Sequence, residues 1–287
     1  MAAIAVHVWS DVVCPWCYIG KRHLEQALEQ FSPSNLGADD RKHAVKLLWH
    51  SFELDPSAPT RVDPSKSHAE RLAAKYGTSL VGAQTMIERV VQVGRKRNIA
   101  FEFDKAQSGN TFAAHQLLHW ARTQPSLQQS RLLTYGAQHQ LKERLLKGYF
   151  TEGAAIGDPE VLVGLARDAE LDEEGAYNAL RSGTFKEHVR LDEQRAQQLG
   201  IGGVPFFLIG RHAVSGAQPP ELLLEVLGRA ANDLDSNEIT KLVEQQDGPT
   251  PNQPTGRLQM RKRRGELELL CAPLPRRGLG WVLSSTR

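Results

Sequence analysis

The chain has 287 residues, of which 40% are hydrophobic and 24% charged, with a formal net charge of +2. That composition suits a globular protein with enough chain to bury its own core, as one large domain or two of ordinary size, and the charge balance argues against an obligate nucleic-acid or membrane partner. Three cysteines are too few, and odd in number, for a secreted disulfide framework, so a close pair among them is expected to be catalytic or metal-binding.

The first residues, Met1 to His7, show neither the basic nor the apolar region of a secretory signal. No run approaches the roughly 18 apolar residues of a membrane span. The expected compartment is the cytoplasm.

Residues 4–9, Ile-Ala-Val-His-Val-Trp, predict a short strand that leads through Asp11-Val12-Val13 into Cys14. From Cys17 to about Gln30, Ile19, His23, Leu24, Ala27, Leu28 and Phe31 fall at three- and four-residue spacings on one helical face. Residues 45–52 predict a second strand, so the opening reads as one βαβ unit. Pro56, Pro59 and Pro64 then mark a loop.

The next stretch predicts helices over 66–76, 79–97, 110–122, 126–147, 158–169, 172–181 and 184–199. Asp158-Pro159-Glu160 is a strong start signal, and Gly200 with Gly202-Gly203 a stop. Phe206–Ile209 and His212–Ser215 predict a hairpin around Gly210-Arg211, and Pro219-Pro220 opens a closing helix through Ala231. Beyond Asp247 the chain turns Pro-rich and basic: residues 248–287 carry +6, leaving about −4 on the rest. This tail is expected to be flexible, with one short ordered piece at 266–271.

The strands thus lie at the two ends of the folded part and the helices between them. The expected fold class is α/β: a thioredoxin-like domain from residues 1–60 and 200–232, an all-helical insertion over 61–199 between the second and third strands, and a basic tail over 233–287.

The chemistry sits in Cys14-Pro15-Trp16-Cys17, placed after a strand and at the start of a helix. Unpaired backbone N–H groups and the positive dipole end at such a position stabilise a thiolate, the attacking species in disulfide exchange. The two-residue spacer keeps Cys17 within one turn, close enough to resolve a mixed disulfide. Cys14 is expected to be partly exposed and Cys17 shielded. Gly202-Gly203-Val204-Pro205, just before a strand, is where a cis-proline is expected, facing the cysteine pair.

Zinc would need two further ligands, and none lies nearby in sequence. His115 and His119, four apart on a helix, form a metal face only with a third ligand that the sequence does not offer. The basic run 261–264 reads as a solvated tail and Cys271 as a tail thiol without a role. Trp49 and Phe52 are expected in the core, and Asn110 is expected to cap a helix.

Several motifs occur in a specific order: Cys-Pro-Trp-Cys-Tyr-Ile-Gly-Lys (14–21), Tyr149-Phe150-Thr151-Glu152-Gly153, Ile156-Gly157-Asp158, Gly203-Val204-Pro205-Phe206-Phe207 and Ser215-Gly216-Ala217-Gln218. Over about residues 4–231 the chain resembles the FrnE-like branch of the DsbA family. The resemblance implies a thioredoxin domain with an inserted helical domain, a nucleophilic Cys14, a resolving Cys17 and a cis Pro205. It also places Asn110 and His115 toward the redox site, so Trp16, Val204, Pro205, Asn110 and His115 are the expected substrate contacts. Trp16 stands where periplasmic DsbA proteins carry a His in the dipeptide, which implies a weaker oxidant. Some FrnE-like proteins carry a second cysteine pair near the C-terminus; here only Cys271 is available.

The leading expectation is a thiol–disulfide oxidoreductase that needs no metal or organic cofactor. Its expected partners are thiols and disulfides of proteins or small molecules, glutathione among them. Two rivals stand beside it: a glutathione-dependent isomerase or transferase of the 2-hydroxychromene-2-carboxylate isomerase or kappa-class type, which typically carries Ser where this chain has Cys14, and a thioredoxin-like peptide-binding module or chaperone.

Overall fold

The computed structural model describes residues 3–31, 44–61, 63, 65–125, 133–134, 136–233, 258–263 and 266–271. Strand β1 (Ala3–Ser10) runs parallel to β2 (Ala44–Ser51), with Val8 opposite Trp49 and Trp9 opposite His50. Helix α1 (Pro15–Gln30) makes the crossover that such a parallel pair requires. On the other side of β1 lies β4 (Phe206–Ile209), antiparallel, and beyond it β5 (His212–Ser215). The tight turn joining them is possible because Gly210 takes a φ of +57°.

Side-chain alternation along these strands builds two different faces. Ile4, Val6, Val8, Trp49, Phe207 and Ile209 face α1 and the closing helix α9 (Pro220–Asn232), meeting Leu24, Leu28, Leu223 and Leu227. Trp9, Phe206 and Leu208 face the opposite way, against Ala196, Leu199 and Ile201 on and after helix α8 (Lys186–Gln198). The sheet is therefore covered on both sides. Helix α8, the last of the helical stretch between the second and third long strands, packs on β2 and covers this face of the sheet.

The helices between β2 and α8 are α2 (His68–Tyr76), α3 (Leu80–Arg95), α4 (Phe112–Arg122), α5 (Ala137–Lys147), α6 (Pro159–Asp168) and α7 (Glu173–Ser182). Their ends follow their caps: Ser67 and Glu70 form a reciprocal capping box, and Ser79, Asp158 and Asp172 each accept a backbone N–H of the first turn. Leu117, Leu141, Leu145, Phe150 and Leu162 form the core of this block, which continues into Val12, Tyr18 and Ile19 beside the redox motif. Among the described residues no helix is long and apolar enough to cross a membrane.

Two expectations need correction. Helix 126–147 is shorter, beginning at Ala137, and Leu133–Thr134 before it forms a short strand, β3, parallel to β2; residues 126–132 lie outside the described residues. After α5 the chain widens into a π-helical turn, Gly148–Glu152. In the tail, β6 (Leu258–Arg263) joins β7 (Glu266–Cys271) as a hairpin on the outer edge of β5, so the sheet order is β3-β2-β1-β4-β5-β7-β6. Residues 248–257 and 272–287 of that tail lie outside the described residues.

Candidate active site

Cys14 is the N-cap of α1, extended in backbone (φ −93°, ψ 111°), and Pro15 is the first helical residue. Proline suits that position because its missing N–H would have no helical partner. The Cys14 carbonyl accepts the N–H groups of Cys17 (3.0 Å) and Tyr18 (3.3 Å), which folds Cys17 back under Cys14. No acidic residue stands in the first turn, so nothing offsets the positive end of the helix. Both thiols are free. Cys14 is only 4% exposed and Cys17 1%; the expected partial exposure of Cys14 is not found, because its sulfur is covered by the loop opposite.

That loop is the Val204–Pro205 segment, joined by a cis peptide bond. Cys14 Sγ donates to the Val204 carbonyl at 3.5 Å. The loop is held close from two sides. Gly20 presents a bare backbone to the Pro205 ring, and Gly216 N–H donates to the Pro205 carbonyl at 2.8 Å. His23 Nδ1 pairs with the Gln218 carbonyl at 2.8 Å, tying α1 to the same corner. Trp16, 36% exposed, stands on the outer surface beside Cys14.

Beneath the pair lies a buried polar group that the sequence reading missed. Asp11, fully buried, accepts Val12 N–H (2.7 Å) and Leu54 N–H (2.8 Å), and His115 Nε2 lies 3.2 Å from its Oδ1. Burial raises the Asp11 carboxyl, but the hydrogen bond and charge of His115 and the Leu54 amide outweigh it and hold it below its usual range. Burial lowers the His115 imidazole, with Asp11 opposing. Burial also pushes the Cys17 thiol well up, helped by Cys14 and opposed by Lys142. Lys142 of α5 is itself fully buried, and burial brings its ammonium down to about 8 against the pull of Cys17, Asp11 and Cys14. Sequence signals for both residues exist. Asp11 is a carboxylate between a strand end and the cysteines, and Lys142 falls on the stripe of α5 that also holds Leu141, Leu145 and Leu146.

The other expected contacts separate. Val204 meets Cys14 through its carbonyl, while Pro205 packs against Gly20 of the same helix. His115 does not line an open cleft: it is 0% exposed and supports the redox turn from below through Asp11. Asn110 lies just before the N-cap Thr111; its Oδ1 accepts Phe112 N–H (2.9 Å) and its Nδ2 donates to the Pro56 carbonyl (3.2 Å), so it pins a loop. His119 turns away from His115 toward Ser51 and Asp192. Among the described residues no group of three His, Cys, Asp or Glu side chains is placed to hold a metal ion.

A family model described as DSBA-like thioredoxin domain matches residues 5–228. Among solved structures, the chain is similar to a probable DsbA oxidoreductase of Streptomyces coelicolor, with a TM-score of 0.67 and 30% identity, covering 92% of this chain and 98% of that one. A putative protein disulfide isomerase of Nitrosomonas europaea shares the fold, with a TM-score of 0.54 at 16% identity over 86% of this chain and all of the other. Among curated proteins, the uncharacterized protein YwbO of Bacillus subtilis (strain 168) is 27% identical over 216 residues, 75% of this chain and 90% of its own length.

Proposed function

The chain belongs to the family of DSBA-like thioredoxin domains, and on that premise we propose that it catalyses dithiol–disulfide exchange, with Cys14 as nucleophile and Cys17 as resolving thiol. The observation that carries the reading is the position of Cys14 at an uncompensated helix N-terminus, its sulfur against the Val204 carbonyl and Cys17 one turn behind. Cys14 thiolate attacks one sulfur of a substrate disulfide, forming a mixed disulfide and releasing the other half as a thiolate. Cys17 then bonds to Cys14 Sγ, and the second half leaves. The substrate gains two electrons and the enzyme pair is left oxidised; two further thiols, such as two glutathione molecules that leave joined as their disulfide, reset it.

The backbone at Val204 is the natural rail for an extended peptide, so proteins as well as small disulfides fit the reading. The shielding of Cys14 means the Val204 carbonyl must be displaced from the sulfur as substrate enters. Reducing a small disulfide with the full chain tests the reading. Wild-type protein should turn over, Cys14→Ser should be inert, and Cys17→Ser should stop as a stable mixed disulfide. Disulfide turnover by Cys14→Ser would overturn the assignment of Cys14 as the nucleophile.

A further inference from the structure

Two buried lysines lie near the redox helix, and they are treated differently. Lys21, 1% exposed, places its Nζ between Glu25 (2.5 Å) and Glu143 (2.6 Å). Lys142, 0% exposed, has an Nζ that makes no hydrogen bond among the described residues; it stands over the Trp49 ring, 5.7 Å from the centroid. A buried ammonium without hydrogen bonds is among the least favourable groups a core can hold.

Its place is not accidental slack in the packing. One turn earlier, Gln138 accepts Trp49 N–H (3.1 Å) and donates to the Trp49 carbonyl (2.9 Å). The next residue, Glu143, accepts from Tyr18 (2.8 Å) and Lys21 and pairs with Arg22. Helix α5 is thus fixed to β2 on one side and to the redox helix on the other, with Lys142 held in between. The charged and titratable groups that act on it include Cys17, Asp11 and Cys14, which attract it, and Lys21 and the imidazole of His115, which oppose its charge. Asp11 has its own partners in two amides and His115. Lys142 is the cation that acts on Cys17 among the described residues.

We propose that Lys142 is a positioning residue for Cys17, supplying from the helical insertion the buried positive charge that stabilises the Cys17 thiolate as it attacks the mixed disulfide on Cys14. The step balances without a further reagent. The Cys17 sulfur bonds to Cys14 Sγ, the bond between Cys14 and the substrate sulfur breaks, and the proton lost by Cys17 balances the charge of the departing sulfur, so that the substrate half leaves as a thiol that ionises in solvent according to its own acidity. The inference rests on the exchange reading above, and it makes the insertion part of the redox machinery.

The test uses the reduced full chain and an aromatic disulfide, 5,5′-dithiobis(2-nitrobenzoate), whose coloured thiolate is released once by Cys14 and a second time by Cys17. In Lys142→Met the rate of the second release relative to the first should fall about tenfold or more, while the melting temperature holds or rises because an unpartnered ammonium has been removed. Lys142→Arg, which keeps the charge, should restore the ratio to within about threefold of wild type. A wild-type ratio in Lys142→Met, or an equally slow Lys142→Arg, overturns the proposal and leaves the exchange reading standing. Failure of wild type to give any second release sinks the exchange reading itself. If Lys142→Met does not fold, Lys142→Gln is read the same way; failure of both to fold makes the charge structural and also overturns the proposal.

Discussion

A methyl group added at Gly20 would sit 2.8 Å from Pro205 Cγ and 3.2 Å from Phe207 Cζ. Neither neighbour is the free end of a flexible chain, so the helix or the loop must move. Gly20→Ala should therefore cost about 1–3 kcal/mol in denaturant unfolding and slow disulfide reduction by shifting the loop that covers Cys14. A variant as stable as wild type would show that the loop yields easily. At this scale the sequence was most legible where backbone chemistry is distinctive: the cysteine pair, the glycines before Pro205, the Asp158 cap. It was least legible for Asp11, His115 and Lys142. Which buried polar groups meet is decided by tertiary packing, and helix α4 shows that one face can send His115 to Asp11 and His119 to Asp192.

Besides its apolar packing, helix α8 is tied to the sheet through the Asp192 carboxylate. Asp192, 2% exposed, lies 2.7 Å from His50 Nδ1 and 3.0 Å from His119 Nε2, and accepts Ser51 N–H at 2.8 Å. Its backbone carbonyl also accepts the Trp9 indole N–H at 3.2 Å. Burial alone would raise this carboxyl, but the two imidazoles hold it far below its usual range. Because α8 runs directly into the Val204 loop, loosening it reaches the active site through the chain. Asp192→Ala should cost about 3–5 kcal/mol, since it removes the partner of His50 Nδ1 and of the Ser51 amide and leaves His119 only Ser51, while Asp192→Asn should lose less. Equal losses in the two variants would mean that shape, and not charge, fixes the helix. At the scale of elements, the helices were readable because caps and apolar periodicity agree. Strand β3 was not: two residues carry no period, and its pairing with β2 is a long-range contact. The hairpin β6–β7 was half seen, as an ordered piece at 266–271, because its basic first strand reads as a solvated charge run.

Across the whole molecule, buried titratable groups set how stability depends on pH. Burial brings both His68 and His139 down to about 4. In the unfolded chain each would titrate near its ordinary 6.5, so between about 6.5 and 4 the unfolded state binds more protons and stability falls as pH falls. His23 and His115, lowered for the same reason, act in the same direction. Glu53 acts oppositely: burial and the adjacent Glu193 raise its carboxyl to about 7, against the pull of Arg190. Its folded-state preference for the proton stabilises the protein fully below about 4.5, and that contribution is lost as pH rises through about 7. The two kinds of group can be separated by slope. His68 packs on the Phe103 ring, with 4.8 Å between centroids, and its Nδ1 has no hydrogen-bond partner among the described residues, so Phe is a fair replacement. Unfolding free energies measured from pH 7 to 4.5 should fall less steeply with decreasing pH in His68→Phe, by up to about 1.4 kcal/mol per pH unit, the equivalent of one proton. Glu53→Gln should make the same limb steeper by a similar amount, because the compensating proton is gone. Parallel slopes in wild type and both variants would show that these side chains titrate alike in the folded and unfolded chain, and that the acid limb belongs to other groups.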